Sequence, residues 1–298
     1  MTRAELAALL LSLAAWADDA RAAPRGSPWG ASYFPDVPLT TQDGKTVRFY
    51  SDLVKDRFVV VNFIYTHCTK ECPLETANLV RVQKRLGARV GKDIFFYSLT
   101  LDPERDTPAA LKAYAEAYHA GPGWLFLTGR REDLRLIRAR FRDRTTVEDH
   151  AVNLQLGNDR AGQWTSLSAV DDPGFLAMNI DGWMSVDPRS HAPVRSYAEA
   201  PRGPRPTAGA ELFRQKCAAC HSIGRGDLLG PDLQDVLLRR DRAWLARWLA
   251  NPEKLVAEKD PLALELAARH RVVAMPNLAL TASEVTALID HLEASSRR

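Results

Sequence analysis

The sequence is short of cysteine, of like-charge runs and of long apolar stretches. Its 298 residues hold four cysteines, in two close pairs, Cys68 with Cys72 and Cys217 with Cys220. None is left for a long-range disulfide staple, so the thiols read as site residues. The formal charge is only +3, and no lysine-arginine run or aromatic-interleaved basic patch exists, which sets nucleic acid aside as a partner. Beyond the N-terminus no run approaches the roughly 20 apolar residues that span a bilayer. What is present is a chain 46% hydrophobic and 26% charged, the balance of a soluble globular protein, with length for two domains of unequal size.

The N-terminus supplies the expected compartment. Met1-Thr-Arg3 is a short basic start, Leu6 to Ala17 is mostly apolar, and Ala15-Trp16-Ala17 or Ala20-Arg21-Ala22 offers a small-x-small cleavage site, so residues 1–22 read as an export signal. The competing reading is an amphipathic first helix of a cytosolic protein, since Glu5 interrupts the apolar run. No cysteine precedes Cys68 to carry a lipid. The expectation is an exported, periplasmic chain, soluble or peripheral at the membrane after cleavage.

Residues 23–187 alternate strand and helix patterns, which implies a sheet with helices on its faces. Asp43-Gly44 between two short alternating runs predicts a hairpin. Phe58 to Tyr65 is a continuous apolar run, as in a strand covered on both faces. It ends at Cys68-Thr-Lys-Glu-Cys72-Pro73, and helical spacing follows to Leu86, so the thiols fall at a strand-to-helix junction. Further strands are expected from Ile94 and Trp124, with helices from Thr107-Pro108 and Glu132. Asp149 to Leu156 and Gln163 to Leu167 read as paired strands. Phe175 to Met184 reads as a last helix, with Met178 and Met184 as core filler rather than soft metal ligands. Residues 188–206, with prolines at 188, 193, 201, 204 and 206, form a semi-extended linker. Residues 207–298 carry helical patterns and no strand signal.

Cys217-Ala-Ala-Cys220-His221 is a haem-attachment pattern, in which both thiols bond to the haem and the histidine becomes an axial ligand. A zinc site would need two more ligands. Met275, in Ala274-Met-Pro-Asn277, is preferred to His270 as sixth ligand, since a thioether opposite histidine suits electron transfer. With Gly230-Pro231-Asp232-Leu233, the Trp244 to Trp248 helix, Asn251-Pro252 and Met275-Pro276 in that order, residues 207–298 resemble a class I cytochrome c domain. The resemblance implies haem c on Cys217 and Cys220, His221 and Met275 as axial ligands, and Pro231 supporting His221.

The first pair has two natural chemistries. Thiols at a helix start are acidified, which favours disulfide exchange and soft-metal binding alike. Three residues separate them, where exchange proteins of the thioredoxin type usually have two, and the wider gap suits a bridged metal without forbidding a disulfide. A third donor would decide, and His150, opening a strand in the same domain, is the best candidate. His67 is second to Cys68 in reach at best; His119 and His191 are expected to be solvated. Thr66-His-Cys68-Thr-Lys-Glu-Cys72-Pro73, then Asp102-Pro-Glu-Arg-Asp-Thr-Pro108, then Asp149-His150 resemble the three ordered motifs of the Sco/SenC copper-chaperone family. The resemblance implies an α/β thioredoxin-like fold, copper on Cys68, Cys72 and His150, and a nearby loop shaped by Asp102 to Pro108. Two departures stand out: Ala151 where the family often has serine, and no evident membrane anchor.

The expected whole is an α/β thioredoxin-like domain followed by a small all-α cytochrome c domain. It would be a metallochaperone and electron-transfer protein rather than a clear enzyme, delivering copper to an apo-metalloenzyme such as the copper subunit of a respiratory oxidase. Its haem would exchange single electrons with a redox partner protein. The alternatives are a thiol-disulfide reductase working through Cys68 and Cys72, and a plain electron shuttle with the first domain as a docking module.

Overall fold

The computed structural model describes residues 29–143, 152–184, 206–270 and 273–296. Residues 1–22, read above as an export signal, His150 and the expected linker up to residue 205 lie outside the described residues. Among those described, no helix is long and apolar enough to cross a membrane.

The first domain is built on one sheet. Strands β1 (Pro38–Thr41) and β2 (Thr46–Arg48) form the hairpin that Asp43-Gly44 predicts. Strand β3 (Phe58–Ile64) is buried at every position, as its uninterrupted apolar run requires. It lies parallel to β4 (Ile94–Thr100) and antiparallel to β6 (Asn153–Asn158). β4 in turn lies parallel to β5 (Trp124–Thr128), and β7 (Gln163–Ser168) closes the edge beyond β6. The order across the seven strands is β2-β1-β5-β4-β3-β6-β7.

Parallel neighbours need crossovers. These are α1 (Glu71–Leu86), from β3 to β4, and α2 (Pro108–Ala117), from β4 to β5. Thr107 caps α2 by accepting from the Ala110 N–H, with Pro108 in the first turn, so the local capping signal held. Helix α1 stops at Gly87, whose φ of 59° is open to glycine. Helices α3 (Arg131–Arg140) and α4 (Pro173–Met184) complete the domain.

One packing expectation fails on α4. Leu176, Ala177 and Ile180 are buried, but Met178 is 65% exposed. Two residues from Leu176 and from Ile180, it falls on the opposite side of the helix. Met184 packs partly buried against the core, its Sδ also accepting a hydrogen bond from Arg89 Nη2 at 3.2 Å.

The second domain is helical throughout its described residues. Helix α5 (Ala208–Leu212) widens into a π turn over Phe213–Cys217, so Cys217 ends that turn and Cys220 lies in the turn that follows. Then come α6 (Val236–Arg239), α7 (Arg242–Ala250), α8 (Pro252–Ala257), α9 (Pro261–Arg269) and α10 (Ala282–Ser296). Asn251 ends α7 and also caps α8, its side chain accepting from the Lys254 N–H at 2.9 Å. Thr281 and Glu284 exchange hydrogen bonds at the start of α10, a capping box. Phe213 packs with Val285, Leu288, Ile289 and Leu292 of α10.

Candidate functional site

Two sites emerge. The first stands where β3 gives way to α1. Cys68 lies in the connecting loop, not on the helix, and Cys72 is the second residue of α1; the two are brought together by the turn, not by helical spacing. Both side chains are buried. The Cys72 thiol donates to the Cys68 sulfur, and this, with the Tyr65 hydroxyl and the Lys70 and Cys72 N–H groups, pulls the Cys68 pKa down to about 5 against burial. Burial, and then the neighbouring sulfur, push the Cys72 thiol up. One sulfur is thus a ready thiolate and the other holds its proton.

The loop is fixed from below. Asp106, fully buried, accepts from Thr66 Oγ1 at 2.6 Å, from Thr100 Oγ1 at 2.5 Å and, at 3.2 Å, from the Thr66 N–H. The stretch from Asp102 to Pro108 therefore reaches the thiol loop. His67 Nε2 lies 3.5 Å from Asp102 Oδ2, and its ring meets that of Tyr65 edge-on with centroids 4.9 Å apart.

Sequence reasoning missed a buried polar chain behind the thiols. Trp124 Nε1 donates to Ser98 Oγ (2.9 Å), Ser98 Oγ to Asn62 Oδ1 (2.7 Å), and Asn62 Nδ2 to Glu75 Oε1 (2.7 Å). Among the described residues Glu75 Oε2 has no hydrogen-bond partner. Burial pushes the Glu75 carboxyl up to about 8, the Asn62 bond opposing it and the Cys68 charge adding to it. The signal available was a glutamate one turn after Cys72, on the face that the helix buries.

The second site is a cavity of about 880 Å³, within the range of cofactor pockets. Cys217, Cys220, His221, Met275 and His270 line it, with apolar walls from Leu229, Leu233, Val236, Trp244, Leu245 and Trp248. His221 Nδ1 is 2.8 Å from the Pro231 carbonyl oxygen, so this nitrogen donates and Nε2 keeps its lone pair for a metal. A Cβ on Gly230 would stand 2.5 Å from the His221 ring; glycine lets the chain pass against the imidazole. Asp232 holds the intervening loop by accepting from Ser222 Oγ and the N–H groups of Gly224, Arg225 and Gln234. These bonds, the Gln234 N–H foremost, hold its carboxyl well below the usual range.

Trp248 Nε1 donates to Met275 Sδ at 2.9 Å. Burial pushes the Cys217 and Cys220 thiols up to about 12, so both are neutral thiols. The apolar cavity, the thiol pair, the oriented imidazole and the close approach at Gly230 fit a haem, which Cys217, Cys220, His221 and Met275 would hold and which would supply one-electron chemistry. The cavity wall also includes Thr69, Pro73 and Leu74 of the first domain.

Comparison with known proteins agrees in both halves. The SCO1/SenC family model matches residues 30–172 and the cytochrome c model residues 206–296. The SCO1 protein homolog of Bacillus subtilis is 39% identical over 89 residues, 30% of this chain and 45% of that protein. The mitochondrial SCO2 homolog of Bos taurus is 32% identical over 135 residues, 41% of this chain and 48% of its own length. The chain thus spans about half the length of these curated relatives. Copper-bound ScoI of Arabidopsis thaliana is 23% identical with a TM-score of 0.42, covering 51% of this chain and 96% of that one. By these two family models the chain is a SCO1/SenC domain of thioredoxin-like fold joined to a C-terminal cytochrome c domain.

Proposed function

We propose that the protein is an exported copper-binding protein. It holds copper on Cys68 and Cys72 with His150 as third donor, and delivers it, or redox equivalents, for assembly of a respiratory copper centre such as that of cytochrome c oxidase. The observation that carries this is the thiol pair itself: two adjacent buried sulfurs, one acidic to about 5, on a loop pinned by Asp106. Thiolate favours cuprous ion, and an added imidazole accommodates the cupric state. Haem c on Cys217 and Cys220, with His221 and Met275 axial, supplies single electrons, which match the one-electron couple of copper. Titration of the reduced protein with cuprous ion tests the reading: one equivalent binds tightly, and Cys68→Ser and His150→Ala each lose it. Unchanged binding in either variant overturns it.

The asymmetry of the two thiols supports a second reading, a thiol-disulfide reductase, because an acidic attacking thiol beside a protonated one is also the exchange arrangement. That chemistry moves two electrons where a haem moves one. If metal-free protein reduces a model disulfide catalytically through Cys68 and Cys72, and His150→Ala does so equally well, this reading replaces the first.

A further inference from the structure

The two domains form one packed unit, and their contact falls on the thiol loop. Ala219, between the two C-terminal cysteines, is buried in the cluster built on the first domain's sheet, and Cys220, Leu229, Val273 and Leu278 pack against that cluster. The Asn277 N–H donates to the Thr69 carbonyl at 2.9 Å. Thr69 directly follows Cys68, and Asn277 stands two residues after Met275. Thr69, Pro73 and Leu74 complete the wall of the haem-type cavity. At the rim Arg214 Nη1 pairs with Asp172 Oδ2 at 2.9 Å. An exposed ion pair of this kind contributes little affinity; the apolar packing holds the domains and the pair fixes their register.

We infer that the domains work docked, with the loop from Cys68 to Cys72 as the contact across which the thiol site and the haem cavity exchange one electron within a single chain. This rests on the copper reading above. In the step, a cupric ion held at the copper site proposed above would gain the electron that ferrous haem loses, giving cuprous ion and ferric haem. No bond forms or breaks and no proton moves, the haem having been reduced beforehand by a one-electron donor. Thr69 and Asn277 are positioning residues: their hydrogen bond joins the backbone beside Cys68 to the backbone beside Met275 without solvent between them.

The test uses full-length, haem-loaded protein with cupric ion added. The haem is reduced by a pulse of photogenerated flavin semiquinone and its reoxidation followed optically. The expected result is a first-order phase whose rate does not change with protein concentration. Asn277→Pro slows it several-fold, and Arg214→Asp slows it less, both with the haem spectrum unchanged. A rate that rises with protein concentration, or that neither variant alters, overturns the inference. The cupric-thiolate absorption before the pulse keeps the two failures apart. If that absorption is absent, copper binding itself has failed and the inference with it; if it is present and reoxidation is bimolecular, docking alone has failed.

Discussion

The two cysteine pairs of this chain meet different surroundings, and of the four thiols only Cys68 is acidified. Around Cys68 the polar groups converge: a thiol, a phenol and two backbone N–H groups stabilise the thiolate at about 5. Around Cys217 and Cys220 the surroundings are apolar, and burial drives both to about 12. The first pair belongs to a domain whose central strand β3 is covered at every residue. The second faces a cavity of about 880 Å³ walled partly by residues of the small domain's core, Phe213, Val236, Leu245 and Leu288 among them. The environment, not the residue, sets these thiols apart: converging polar groups favour the Cys68 thiolate, and burial favours the protonated thiol at Cys217 and Cys220.

Four measurements would break or sharpen that contrast. The largest effect is expected from Cys217→Ala/Cys220→Ala, which abolishes covalent haem on a denaturing gel and removes the C-terminal unfolding transition while leaving that of the first domain. Retention of both transitions would mean that the cavity does not need filling. Next, in haem-loaded, metal-free protein the second pair is capped, so alkylation reads the first pair. Its rate should rise with a midpoint near pH 5 rather than in the ordinary thiol range of about 8.5, and Tyr65→Phe should move the midpoint upward.

Glu75 gives the third. Its carboxyl keeps its proton in the folded state up to about pH 8, against an ordinary 4.5, so between those values the unfolded chain binds fewer protons than the native one. Stability therefore falls as pH rises across that window, by at most about 1.4 kcal/mol per unit. Below it the group costs nothing, and Glu75→Gln should flatten the decline in denaturant midpoints. The smallest effect is expected from Trp248→Phe, which deletes the donor to Met275 Sδ. It should cost about 1 kcal/mol of domain stability, with a modest shift of haem potential read by optical titration.

The local features were legible because their causes are local. Asp43-Gly44 turns the hairpin, Thr107-Pro108 caps α2, and the unbroken run from Phe58 makes a covered strand, each through interactions within a few residues. The reading of Met178 as core failed because hydrophobic identity does not say which side of a helix faces the sheet. Glu75, Ser98 and Trp124 escaped notice for a related reason: their hydrogen-bonded chain joins α1, β3, β4 and β5, separated by up to dozens of positions. Asp106 was visible only as part of a resembling motif; its bonds to Thr66 lie 40 residues back along the chain.

By itself the sequence determined the chemistry on offer: two sulfurs beside a helix start, a haem-attachment pattern, and one methionine and one histidine that could complete the iron. Those follow from residue type and spacing, which the chain fixes covalently. Tertiary structure decided the states and the neighbours. It lowered the Cys68 thiol to about 5 while raising that of Cys72, placed Met275 and His270 in one cavity, and set Asn277 on Thr69. Acidity, cavity and contact all depend on which groups meet through space, and only packing brings residues so far apart in the chain within hydrogen-bonding distance.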